Sequence, residues 1–237
     1  MALVAVRTTA AVRADVALAR SPTEPSSRDA RRPAYLRPAG VVGCETGAVV
    51  DDAQAFFAGR LLVASPQIEE ETFRRSVVLL LHHDEEGAQG VILNRPIEAD
   101  IDAVLPGWKD IASAPQTMFQ GGPVELNSAI GLVTVPGDEP EPLGVRHLFG
   151  GLGLVDLDAP PNLVAPEVAG MRIFAGYAGW SGGQLENEIL RGDWYVVDSE
   201  SRDAFSMAPE RLWSDVLLRQ NDTLKLVASY PDDPSLN

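Results

Sequence analysis

The chain has 237 residues, 45% of them hydrophobic, and a formal net charge of −15, so it is long and apolar enough to bury one sizeable core. That charge is uneven: residues 1–45 carry seven Arg and four acids (+3), while the remainder carries 12 Lys or Arg and 30 acids (−18), a body that repels phosphate backbones and argues against direct nucleic-acid binding. The single cysteine, Cys44, excludes an intrachain disulfide framework and an all-cysteine metal site, and no apolar run approaches the roughly 18 residues of a membrane span.

Residues 1–45 are rich in Ala, Arg, Ser and Pro and read as a disordered basic tail and linker, leaving residues 46–237 as one domain. Asp51–Ala58 is a short helix or lead-in. Arg60–Ser65 is a buried strand closed by Pro66. Ser76–His82 and Gln89–Leu93 are apolar and rich in strand formers, with Asp84–Gly87 as a turn between them, which predicts an antiparallel hairpin. Asp100–Leu105 is a short helix, and Gln120–Pro123 a turn. Ile130–Val135 and Leu152–Leu157 are strands, and Pro161–Val168 holds a short helix. Gly170–Ala175 is a strand that runs into a glycine-aromatic block, Gly176–Gly183, read as tightly turned backbone. Gln184–Arg191 is a helix and Trp194–Val197 a strand. In Pro209–Leu218, Pro209 suits a first helical turn, and Leu212, Trp213, Val216 and Leu217 share one face. Strands with short interspersed helices predict an α+β fold.

Three segments carry a family resemblance. Gly59–Pro96 (GRLLVASPQIEEETFRRSVVLLLHHDEEGAQGVILNRP) resembles the opening signature of the AlgH/YqgE family. Gln120–Val133 (QGGPVELNSAIGLV) resembles its GGPV segment, and Phe174–Ile189 (FAGYAGWSGGQLENEI) its GYAGW-x-x-GQLE-x-E signature. Trp194 falls where that family has a Trp. The match spans about Gly59–Gln220 and departs at His83-Asp84, where the family has His-Asn. It implies a mostly antiparallel, bifurcated sheet curled into a partial barrel with short flanking helices. Members have been labelled transcriptional regulators, but no defined reaction attaches to the family, and a fold does not carry a function.

Two places offer binding chemistry. Gly182, Gly183 and Gln184 present backbone N–H groups at a helix start, where an anion could sit. Ser181 with Gln184 three residues on has capping-box spacing, which would satisfy the helix internally, and Glu186 and Glu188 would oppose an anion. These two acids, two residues apart, do not share a helix face and read as a solvated surface. Arg75, Asn94 and Arg95 should sit together at one end of the hairpin, where they could hold a carboxylate or phosphate or could pair with a structural acid such as Glu71. His82 and His83 point to opposite faces of a strand, so no metal site is expected, and no cofactor. Gly179–Gly183 only partly imitates a nucleophile elbow, and a Ser181 nucleophile would need His147 or His82 as base.

The composition and the missing catalytic set favour a non-enzymatic cytoplasmic regulatory or interaction protein with a protein or small-anion partner. The alternative is a small-anion-binding or hydrolase-like protein whose cleft joins Arg75, Asn94 and Arg95 to the Gly176–Glu186 loop.

Overall fold

The computed structural model describes residues 56–136 and 142–231; the basic segment 1–45 and most of the Asp51–Ala58 lead-in lie outside them. The described strands are β1 (Arg60–Ala64), β2 (Val77–Asp84), β3 (Gly87–Ile92), β4 (Phe119–Gln120), β5 (Val124–Thr134), β6 (Val145–His147), β7 (Leu152–Val155), β8 (Gly170–Ser181) and β9 (Trp194–Asp198). The helices are α1 (Ile101–Val104), α2 (Pro161–Val164), α3 (Gln184–Arg191), α4 (Leu212–Leu218) and α5 (Asp222–Ala228). All strands join one sheet in the order β6-β7-β5-β8-β3-β2-β1-β9, with the short β4 pairing alongside β8. Every pairing is antiparallel except β4 with β8.

The long strand β8 makes the sheet fork. Its first half pairs with β5, from Gly170↔Thr134 to Ala175↔Ala129. Its second half pairs with β3, from Ala178↔Gly90 to Ser181↔Gly87. Gly176, at φ 67°, kinks the strand between its two partners, a backbone state glycine adopts without steric cost. The block expected to be tightly turned is therefore strand from Gly176 to Ser181, with only Gly182 and Gly183 in a turn, and Gly176 serves a crossing. A Cβ on Gly122 would lie 2.1 Å from the carbonyl carbon of Tyr177, and one on Gly121 2.2 Å from the Gly176 oxygen. Here two backbones touch, and no side chain fits between them.

Alternation fills both faces of the curled sheet. Leu61, Val63, Val77, Leu79, Val91, Phe119, Leu132 and Phe174 line the inside, and the buried Leu212, Trp213, Val216 and Leu217 of α4 fill the same core. Trp213 fixes this helix by donating its indole N–H to the Ala64 carbonyl at 2.8 Å. On the outer face, Leu62, Val78, Leu80, Ile92, Trp180 and Trp194 pack with Leu185 of α3. Val133, Met171 and Ile173 pack with Ile101, Trp108 and Val164 under α1 and α2. The result is an antiparallel half-barrel with short helices outside and one helix plugging its interior.

Most expected elements appear near their expected bounds. Pro209–Leu218 divides into a 3-10 turn, Pro209–Arg211, and α4. β5 begins six residues before the expected Ile130, because Val124–Asn127 are exposed or half-buried and lack strand composition. β6 and α5 were not expected from the sequence; the first is three residues long and the second has no fully buried side chain.

Candidate functional site

The two groups of candidate residues lie at opposite ends of the β2–β3 hairpin. Asn94 is at the open end: its Oδ1 accepts from the Val77 N–H and its Nδ2 donates to the Arg75 carbonyl, both at 2.9 Å. Ser181 pairs with Gly87, which pairs with Asp84 at the hairpin turn. Seven residue steps of strand separate the ends, about 23 Å, so Arg75, Asn94 and Arg95 form no common cleft with the Ser181–Glu186 loop.

At the open end the contacts of Arg75 and Arg95 include backbone carbonyls and an aromatic ring. The Arg75 guanidinium lies 4.4 Å from the Trp213 ring centroid, a cation–π geometry, and donates to the Tyr230 carbonyl. Arg95 donates to the Arg74 carbonyl. Burial, and then the neighbouring Arg74 charge, depress its pKa below the usual guanidinium range. Both ends of the buried Asn94 amide are committed to backbone, so Asn94 and Arg95 tie the open end of the hairpin to the residues just before β2, while Arg75 joins it to the C-terminal segment.

At the closed end, Ser181 is the last residue of β8, and Gly183, in the left-handed region, is the N-cap of α3. The expected Ser181 cap is not formed. Instead Gln184 reaches back, its Oε1 accepting from both the backbone N–H and the hydroxyl of Ser181 at 3.1 Å. The Gln184 amide then donates to Glu188 Oε1 at 3.0 Å. Glu188 Oε2 accepts from the indole N–H groups of Trp180 at 2.8 Å and Trp194 at 2.9 Å. The indoles stand nearly perpendicular, 6.0 Å apart, with Phe73 edge-on to Trp194 at 5.7 Å. So Glu188 is no solvated acid: it is the keystone that turns two buried tryptophans toward one point.

Glu186 meets His83. The His83 Nδ1 accepts from the Phe57 N–H at 3.0 Å, which leaves the proton of the neutral ring on Nε2, 2.9 Å from Glu186 Oε1. That assignment follows from the acceptor role of Nδ1. The ring is buried, with Phe57 stacked on it and Phe56 edge-on, each at 5.5 Å. The alternation that buries His83 leaves His82 exposed, as its adjacent position predicts. His82 bonds Asp84 at 2.8 Å. Burial pushes the Asp84 carboxyl up, but hydrogen bonds from His82 and the Glu86 and Gly87 N–H groups outweigh it and hold the pKa below the usual carboxylate value.

Beside this network opens a cleft of about 280 Å³, floored by Phe73, Trp180 and Trp194 and rimmed by Glu70, Gln184 and Glu188. A second cleft, of about 300 Å³, lies at the concave mouth of the half-barrel. Sequence reasoning missed Phe73, Glu188 and the two tryptophans as a unit. The Trp–Glu–Trp spacing was visible in the chain, but only the hand-over from β8 through α3 to β9 brings the three together. Among the described residues no group of three His, Cys, Asp or Glu side chains is placed to hold a metal ion, and no helix is long and apolar enough to cross a membrane.

The forked, mostly antiparallel half-barrel with short flanking helices makes this an α+β domain. The AlgH-like family model matches residues 61–225, and the chain belongs to that family. It is 58% identical over 182 residues to a UPF0301 protein of Streptomyces coelicolor, covering 76% of this chain and 94% of the relative. It is 46% identical over 191 residues to a UPF0301 protein of Mycobacterium leprae, covering 80% and 95%. Among solved structures it is similar to protein DIP2367 of Corynebacterium diphtheriae, with TM-score 0.68 and 34% identity over 73% of this chain and 91% of that one. The solution structure of the AlgH protein of Pseudomonas aeruginosa shares the fold, with TM-score 0.57 and 24% identity over 77% and 98%.

Proposed function

We propose that this is a non-enzymatic cytoplasmic regulatory or interaction protein that contacts a polypeptide partner through the aromatic cleft beside α3. One observation carries the reading: the groups able to do chemistry at the signature block are consumed by one another, while an aromatic-floored cleft stands open next to them. Glu188 accepts three hydrogen bonds, and the Ser181 hydroxyl is engaged by Gln184. The lining acids Glu70, Glu188 and Asp193 outnumber Arg191, which Asp193 already engages, and favour a partner that presents a basic side chain over the tryptophan floor.

The hydrolase-like alternative is disfavoured by the same contacts. The histidine brought to the Ser181 end of the hairpin is His83, and both its ring nitrogens are occupied, by the Phe57 N–H and by Glu186. It has no lone pair left for a serine proton. His147 lies at the other cleft, and His82 bonds Asp84.

Affinity capture from lysate tests the proposal, using the intact chain, a Ser181→Ala/Glu186→Gln variant and a Glu70→Arg variant. The expected outcome is a partner kept by the loop variant and lost with Glu70→Arg. The same partner set from all three would rule out the cleft as the contact surface. A fluorophosphonate serine probe should leave Ser181 unlabelled; stoichiometric labelling there would restore the hydrolase reading.

A further inference from the structure

The mouth of the half-barrel carries a second site with different chemistry. Inner-face side chains normally alternate along a strand. On β2 a register shift between Leu80 and His82 breaks that rule, with Leu80 opposite Gly90 and His82 opposite Gln89. The extra residue turns Leu81 and His82 to the same side, as a β-bulge does. Leu81 packs with the interior core, and both residues line the mouth cleft. Ile130, Leu148, Phe149 and Leu154 complete an apolar floor, all belonging to or packed against that same core. Arg146 sits directly opposite Leu154 in the β6–β7 pair, so its side chain leaves the same face.

Arg146 is an outlier among the cations of the described residues. Arg60, Lys109, Arg191, Arg202, Arg211, Arg219 and Lys225 each pair with a carboxylate, as expected where acids outnumber bases 34 to 19. Arg75, Arg95 and Arg172 bond backbone carbonyls. Among the described residues the Arg146 guanidinium takes no hydrogen bond and no ion pair, and neither does the Gln89 amide across the cleft. The nearby acid, Asp84, is covered by His82 and two backbone N–H groups. An unspent guanidinium and an unspent amide over an apolar floor are the recognition elements for an anionic head on an apolar body.

We propose that this cleft binds a small amphipathic carboxylate, its apolar chain against Leu81, Ile130 and Phe149 and its head on Arg146 and Gln89. A volume of about 300 Å³ suits a medium-length acyl chain. The site is separate from the tryptophan cleft, so either can stand without the other.

The test is titration of octanoate into the ¹⁵N-labelled full chain, followed by NMR, with acetate and octanol as comparators. Octanoate should shift the amides of Leu81, Gln89, Arg146 and Leu154, and should bind at least tenfold more tightly than either comparator. Arg146→Gln should weaken octanoate at least tenfold with an unchanged melting temperature, and Arg146→Lys should recover part of that loss. Leu154→Gln, which keeps the cation and spoils the floor, should also weaken it. No octanoate shifts up to millimolar concentration, or equal affinity in wild type and Arg146→Gln, overturns the proposal. So does octanol binding as tightly as octanoate.

Discussion

Arg172 is 1% exposed and faces no carboxylate. Its guanidinium lies 4.2 Å from the Phe119 ring centroid and donates to the carbonyls of Ala114 and Ser206, while Nε and Nη1 are buried without a partner. Burial pushes its pKa down from the ordinary guanidinium range to about 10. The unfolded chain thus holds this proton more tightly. The cost of burying the charge is full below about pH 10, and this group's contribution to stability rises as pH climbs from there toward the ordinary guanidinium value. Replacing a buried charge by an apolar group of similar length removes that cost along with two hydrogen bonds. Arg172→Met should therefore shift urea-unfolding stability by about 1 kcal/mol or less, whereas Arg172→Ala should lose about 3 kcal/mol through the cavity left over Phe119. Asp84 works in the opposite direction. Its lowered pKa means that its stabilising contribution is present above the ordinary carboxylate value and is lost as pH falls through the folded one. In His82→Ala the Asp84 carboxyl should titrate at higher pH, as NMR titration of its side-chain carbon would read.

The element that matters most is β8 with the helix that follows it. Gly121→Ala and Gly122→Ala would each drive a methyl into backbone at the crossing, and each should destabilise by more than about 2 kcal/mol. Gly183→Ala is the control: nothing lies within 4 Å of its Cβ, and only its φ of 76° opposes a side chain, a cost of about 1 kcal/mol. Comparative thermal melts separate the two mechanisms. Glu188→Ala strips the acceptor from two buried indoles and should cost about 2–4 kcal/mol, with a change in tryptophan fluorescence. Glu186→Gln keeps an acceptor for His83 and should cost less. The helix bounds were readable because Gly192 stops α3 in the left-handed region, as a C-terminal glycine does. The start at Gln184 was readable too, but not its cap, because Ser181 had the right spacing and was claimed by β8.

At the scale of the molecule, the acidic body should show no specific complex in a gel-shift titration at physiological salt; a saturable, salt-resistant shift would contradict that reading. Order and composition determined a good deal by themselves: the antiparallel hairpin, the forked half-barrel implied by the family signatures, the apolar face of α4, the opposed His82 and His83. Apart from the half-barrel, which only the family resemblance implied, these follow from local rules of alternation and turn chemistry, which act over a few residues. The tertiary structure alone decided which polar groups meet. It separated Arg75, Asn94 and Arg95 from Ser181 by the length of a hairpin, joined His83 to Glu186 across 103 positions, and set Glu188 between two tryptophans. It also left Arg146 without a partner among the described residues, at the barrel mouth. Side-chain partnership across a curled sheet depends on register, on one bulge and on where β8 changes neighbours, and those are long-range properties that no local pattern encodes.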